Sequence, residues 1–158
     1  MQVRIALQED MPQVLELIRE LARFEKEPDA VDISTEDLVK EGFSDQPLFH
    51  CFVAENDDQI VGMALVYFRF STWKGRTLHL EDLIVKEDYR GKGIGEALYT
   101  AVMKYGHEQG VKRVEWVVLD WNYGALKFYE RSGATILKDW YLAQMDEQSL
   151  ENFIKRIE

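Results

Sequence analysis

The 158-residue chain is expected to fold as an α/β (α+β) layer, with helices packed on a mixed β-sheet. Three observations predict this. Short runs such as "QVRIAL", "FHCFVAE" and "TLHLEDLIV" are apolar or alternate with period two, as strands do. Longer runs such as "EDMPQVLELIRELARFEK" place apolar residues three and four apart, as helices do. The two kinds intermingle along the chain in the order β α α β β β α β α β(β) α, rather than separating into blocks.

Taken in order, residues 2–7 form a first strand. In the next run Met11, Val14, Leu15, Ile18, Leu21 and Ala22 share one helical face, with Asp10 as the expected cap and Pro12 in the first turn. "STEDLVKEGF" has Ser34 followed three residues later by Asp37, close to a capping box, and Gly42 to stop it. "FHCFVAE", a turn at Asn56-Asp57-Asp58 and "IVGMALVYFRF" make an antiparallel hairpin. After "STWKG" comes the strand "TLHLEDLIV", then an amphipathic helix over 93–109. "RVEWVVLD" is expected as a strand and "NYGALKFYERSG" as a helix capped by Asn122 and stopped by Gly133. "ATILKDWYLAQM" is expected as one or two closing strands, and "DEQSLENFIKRI" as a last helix.

The length predicts one domain over residues 1–158, with enough chain to bury a core. A net charge of −10 disfavours a nucleic-acid backbone as partner and favours cations. Eight acids between Glu25 and Asp45, against Lys26 and Lys40, concentrate that charge. Such a run serves either as a solvated face or as an attractor for a polycationic ligand. No stretch has the eighteen or so apolar residues of a membrane helix, and the start "MQVRIALQEDMPQ" lacks a signal-peptide core. With a single cysteine, Cys51, no internal disulfide forms, so a cytoplasmic address is expected. No cluster has metal-ligand spacing.

The densest signal is "RGKGIG". Gly91, Gly93 and Gly95 fall between a strand and a helix, flanked by Arg90 and Lys92. Glycines let successive backbone N–H groups converge on an anion, and the helix start adds unpaired N–H groups and a positive dipole end. A tight turn needing positive φ is the plainer reading of the same residues. Two familiar phosphate loops do not fit. The Walker pattern is absent, and a dinucleotide fingerprint has Glu96 where its third glycine belongs, which disfavours an oxidoreductase using NAD.

R-G-x-G-x-G after an E-D-x-x-V strand resembles the GNAT N-acetyltransferases. "ELARFEKE", "GFSDQPLFHCFVAE", "IVGMALVYFRFSTWKG", "LHLEDLIVKEDYRGKGIG" and "WNYGALKFYERSGA" narrow the resemblance to the spermidine/spermine (diamine) branch and its thialysine-acetylating relatives. The similarity spans about residues 3–157. It implies a central mixed, mostly antiparallel twisted sheet of six to seven strands flanked by about five helices. It also implies acetyl-CoA as cofactor (coenzyme A as product), a small cationic amine as substrate, and a homodimer.

Moving an acetyl group from a thioester to an amine requires a proton acceptor, since such amines have a pKa of about 10.4. It also requires donors for the carbonyl oxygen and an acid for the leaving thiolate. Glu81 and Asp82 sit inside a β-run, where two acids are costly unless they face water, a partner or a site. The resemblance makes Glu81 the base or proton relay, through water, and Asp82 an attractor for the substrate. A local bulge there frees a backbone N–H for the thioester carbonyl. Leu83, Ile84 and Val85 match main-chain positions that pair with the pantetheine arm like an added strand. Arg90, Gly91, Lys92, Gly93, Ile94, Gly95 and Glu96 match the pyrophosphate loop.

Tyr129 matches the family's acid, placed to protonate the coenzyme A sulfur; by its helical spacing alone it reads as core. Asn122, Tyr123, Gly124 and Ala125 match further cofactor positions, with Ala125 on the Tyr129 face. Phe24 and Glu25 match an aromatic–acid pair lining the polyamine channel, and Glu115, Trp116 and Val117 match another wall. The segment "GATILKDWYLAQ" departs from the polyamine enzymes. It is shortened and puts Lys138, with Asp139 beside it, near an expected acidic contact. This departure counts against a preference for spermine or spermidine and leaves thialysine or another small diamine open. His79 shares the strand face of Glu81 and reads as an auxiliary base or as a packing histidine. His50-Cys51 is rejected as a nucleophile pair, because strand neighbours point to opposite faces. A non-catalytic acyl-CoA sensor is the rival reading, and Glu81 with Tyr129 favours the enzyme.

Overall fold

A computed structural model describes residues 1–157, which form two compact units, Met1–Val117 and a second unit beginning at Val118. The first unit carries a five-stranded sheet in the order β1-β2-β3-β4-β5. The strands are Gln2–Ile5, His50–Asn56, Gln59–Ser71, Gly75–Val85 and Val114–Glu115. The first three pairings are antiparallel, and β5 runs parallel to β4. Five strands among the described residues correct the expected six to seven.

Two expected strands account for the difference. "RVEWVVLD" contributes only Val114–Glu115, and residues 134–145 form no strand. Both stretches have strand-like composition. A strand, however, exists only where its N–H and C=O groups meet a partner ladder. Leu137, Trp140, Tyr141 and Leu142 are exposed, so no apolar face draws that segment into a sheet.

Helices α1 (Met11–Phe24) and α2 (Thr35–Gly42) cover one face of the sheet, and α3 (Ile94–Glu108) covers the other. On the α1 face Met11, Val14, Leu15 and Leu17 pack with Val53, Met63, Leu65 and Ile84. On the α3 face Leu98 and Val102 pack with Val61, Ala64, Val66, Leu78, Leu80 and Val85. The β3–β4 hairpin is the longest pairing and bridges the two cores. At its turn the Ser71 hydroxyl accepts from the Trp73 and Lys74 amides, and Gly75 closes it at φ +80°.

Local signals are obeyed closely. Ser34 and Asp37 form the reciprocal capping box of α2, and Asp57 and Asp58 both take positive φ in the β2–β3 turn. Asp10 differs from expectation. It flanks α1 but makes no cap bond; its carboxylate accepts from the Leu7 amide and pairs with Arg4 at 2.7 Å. The cation on β1 outcompetes the helix amides for it.

The second unit holds α4 (Tyr123–Arg131) and α5 (Glu147–Ile157). Asn122 Oδ1 accepts from the Ala125 amide at 3.3 Å, the expected cap, and Gly133 follows α4 at φ +96°. Among the described residues no helix is long and apolar enough to cross a membrane.

Candidate active site

The β3–β4 pairing carries one irregularity. Leu65 faces Asp82 and Val66 faces Leu80, so Glu81 is an extra residue bulged out of β4. The bulge resets the alternation of side chains. Leu80 belongs to the α3 face and His79 and Glu81 point to the other; beyond the bulge Leu83 returns to the α3 face and Ile84 to the α1 face. Asp82 therefore lies on the α1 face beside Glu81, although strand neighbours ordinarily diverge.

The electrostatics agree with this placement. The charge of Asp82 helps push the buried Cys51 thiol, a member of the α1-face core, up to about 12, with burial as the main cause. Burial first, then the charges of Glu81 and Glu25, push Asp82 itself up to about 6. Burial likewise raises Glu25, at the end of α1. Asp82 thus feels the charges of two other carboxylates, an arrangement that favours a cation.

Glu81 titrates in the opposite direction. The His79 ring, then the Tyr67 hydroxyl and the Arg69 cation, hold it below the ordinary glutamate range against partial burial. Tyr67 Oη donates to Glu81 Oε2 at 2.9 Å, and His79 Nε2 lies 3.4 Å from the same oxygen, long for a hydrogen bond. Adjacent carboxyls are thereby pushed apart, one firmly ionised and one partly protonated near pH 6.

The edge of β4 beyond this point is open. Pairing to β5 ends at Leu78 and His79, so among the described residues Leu83, Ile84 and Val85 have a ladder to β3 alone. The open edge leads into the glycine loop. Gly91 and Gly93 stand at φ +74° and +79°, and a Cβ at either position meets nothing within 4 Å. Backbone conformation, not crowding, demands glycine there. The first bond of α3 runs from the Ala97 amide to the Gly93 carbonyl, which leaves the Ile94, Gly95 and Glu96 amides without helical acceptors. An extended arm along β4 that ends in an anionic group fits these residues.

The two loop cations are turned to the protein. Arg90 Nε donates to the Val85 carbonyl at 2.9 Å and its guanidinium lies 5.5 Å over the Phe24 ring. Lys92 Nζ donates to the Asp88 carbonyl at 3.0 Å. Glu115 lies across from His79 and is paired with Arg69 at 3.1 Å and Arg113 at 3.0 Å. Trp116 packs on the α3 face against Tyr99, away from Glu81, and Val117 is exposed. In the second unit Tyr129 is buried, with its ring 5.5 Å from Phe128 in a T-shaped contact, and its carbonyl accepts from the Ser132 hydroxyl at 2.6 Å. Tyr123 is exposed at the start of α4, next to Gly124 and Ala125.

Tyr67 and Arg69 were not anticipated from the sequence. A signal existed: with the turn centred on "STWKG", counting back along the hairpin sets Tyr67 opposite His79.

Comparison with known proteins gives the class. The profile of the acetyltransferase (GNAT) family matches residues 11–134. The chain is 39% identical to the thialysine N-epsilon-acetyltransferase of Bos taurus over 94% of each chain. It is 34% identical to the human spermidine/spermine N(1)-acetyltransferase-like protein 1 over 94% of its own length and 23% of that protein. An integron cassette protein from the V. cholerae mobile metagenome shares the fold at a TM-score of 0.79 and 23% identity, covering 98% of this chain and 97% of that one. The chain belongs to the acetyltransferase (GNAT) family and is an enzyme of the N-acetyltransferase class.

Proposed function

We propose that this enzyme transfers the acetyl group of acetyl-CoA to a primary amine of a small cationic substrate, of the thialysine, diamine or polyamine type. Transfer occurs by direct attack within a ternary complex. The bulge at Glu81 carries this reading: it sets a firmly ionised carboxylate and a second acid side by side, next to an open strand edge.

The edge of Leu83, Ile84 and Val85 would hold the pantetheine arm as an added strand. The amides of the loop from Gly91 to Glu96 would hold the pyrophosphate, with Asn122, Tyr123, Gly124 and Ala125 as further contacts. Bound there, acetyl-CoA supplies an activated thioester. Glu81 accepts the ammonium proton, directly or through one water, on the oxygen not engaged by Tyr67. Asp82, Glu25 and Phe24 receive the cationic substrate, and its charge draws Asp82 back toward the ionised form. Tyr129 supplies a proton at Oη to the departing sulfur. In this reading residues 1–158 are one N-acetyltransferase domain. A homodimer and a cytoplasmic location accompany it, the latter supported by the single buried cysteine.

The test is release of free thiol from acetyl-CoA over a panel of thialysine, lysine, putrescine, spermidine and aminoalkyl phosphonates. Thiol release matched by acetylation of a small cationic amine is expected. Thermal stabilisation by coenzyme A with no amine-dependent thiol release would instead make the chain an acyl-CoA sensor.

A further inference from the structure

The Glu81 carboxylate is one end of a chain of side chains on the α1 face. Arg69 Nη1 lies 3.2 Å from His79 Nδ1 and 3.1 Å from Glu115 Oε1. A guanidinium has donors only, so where it meets the His79 ring the ring nitrogen is the acceptor, and Glu115 sits beside the same nitrogen as its counter-ion. Nδ1 must then present its lone pair to Arg69, and the proton of the neutral ring sits on Nε2. That is the nitrogen facing Glu81.

The ring is held in this orientation. His79 is buried at 7% exposure and lies against the Tyr67 ring at 5.1 Å between centroids. Turning it over would set carbon atoms against both Arg69 and Glu81. The same geometry removes His79 as a base: Nε2 has no lone pair to offer, and Nδ1 faces a cation.

We propose that Arg69 fixes the tautomer of His79, and that His79 is a positioning residue which directs its Nε2 proton to Glu81 and keeps that carboxylate ionised for the incoming amine. The proposal rests on Glu81 being the proton acceptor. At 3.4 Å the contact is long in the free enzyme, and such contacts shorten once substrate is in place. The groups acting on this pair are Tyr67 and Arg69 from β3, Asp82 from β4, and Glu115 from β5 with Arg113 just before that strand. Glu25 at the end of α1 acts on Asp82.

Two measurements test it. Side-chain NMR of His79 in the whole enzyme should show the Nε2–H tautomer, and Arg69→Met should populate Nδ1–H. An Nδ1–H ring in the unmodified enzyme overturns the proposal whatever the kinetics. Second, the acid limb of the pH–kcat/KM profile should move to higher pH in His79→Phe by half a unit or more. Rates on that limb then fall about threefold, since each unit is a tenfold change in ionisation. His79→Gln places an amide N–H near the Nε2 position and should restore the limb, which a purely space-filling role does not predict. Superimposable limbs for Phe and wild type, or Gln no better than Phe, overturn it.

Glu81→Gln separates the two levels. If it abolishes the limb while His79→Phe leaves it in place, only the role of His79 fails. If Glu81→Gln leaves the limb unchanged, Glu81 is not the acceptor and both readings fall.

Discussion

Glu81 and Asp82 are neighbours in sequence and lie on the same face of the sheet, because the bulge at Glu81 restarts the alternation of β4. Regular pairing would have sent one of them into the α3-face core beside Leu80 and Val85, where a charge is costly. The irregularity in the ladder therefore brings two acids to one site.

That placement makes stability depend on pH through Asp82. Its pKa rises from 3.8 to about 6 on folding, so the folded state binds its proton more tightly than the unfolded chain. The resulting stability is fully present below 3.8 and is lost as pH rises through about 6. Asp82→Asn should gain on the wild type between pH 4 and pH 7.5 by up to about 3 kcal/mol in denaturant unfolding. A stability difference independent of pH over that interval would contradict the burial of this carboxyl.

Tyr67→Phe tests the opposite shift at Glu81. Losing the 2.9 Å hydrogen bond raises the Glu81 pKa, so the acid limb of kcat/KM should move to higher pH. The high-pH plateau should be retained, because the ring still packs beside His79. A limb in its original place would show that the hydroxyl does not support the ionised carboxylate.

Gly93→Ala probes the loop. The residue sits at φ +79° with open space around its Cα, so alanine brings strain but no clash. The expected cost is about 1 kcal/mol in stability, with coenzyme A binding weakened as measured by calorimetry. Gly93→Asn should recover much of the stability, since asparagine tolerates this conformation. An alanine variant as stable as wild type would mean that the loop adopts another backbone.

Tyr129→Phe is expected to lower kcat by about 100-fold or more, the usual contribution of a positioned acid, while coenzyme A still raises the melting temperature. Full turnover in this variant would remove Tyr129 from the mechanism and leave it as a core residue of α4.

The helices were the most legible part of the sequence. The apolar face from Met11 to Ala22, the capping box of Ser34 and Asp37, and the cap and stop at Asn122 and Gly133 are local signals, and the helices they predict are present. Strand content was less legible, since residues 134–145 have strand-like composition and no ladder. Propensity describes a side chain's fit to a pleated surface, and that surface must be supplied by another part of the chain.

The site divides in the same way. The glycine loop and the E-D pair stood out in the sequence because each is a short motif with a local reason, whereas the tyrosine of "KFYERSG" was singled out only by the family resemblance. Tertiary structure decided the rest. It turned Arg90 toward the Val85 carbonyl and engaged Glu115 with two arginines. It also brought Tyr67 and Arg69 to His79 and Glu81 from across the β3–β4 hairpin. A register shift of one residue governs which side chains share a face, and it arises from how β4 pairs with β3, which the residues of β4 alone do not specify. The sequence names the acids, and the fold determines that they act on the same side.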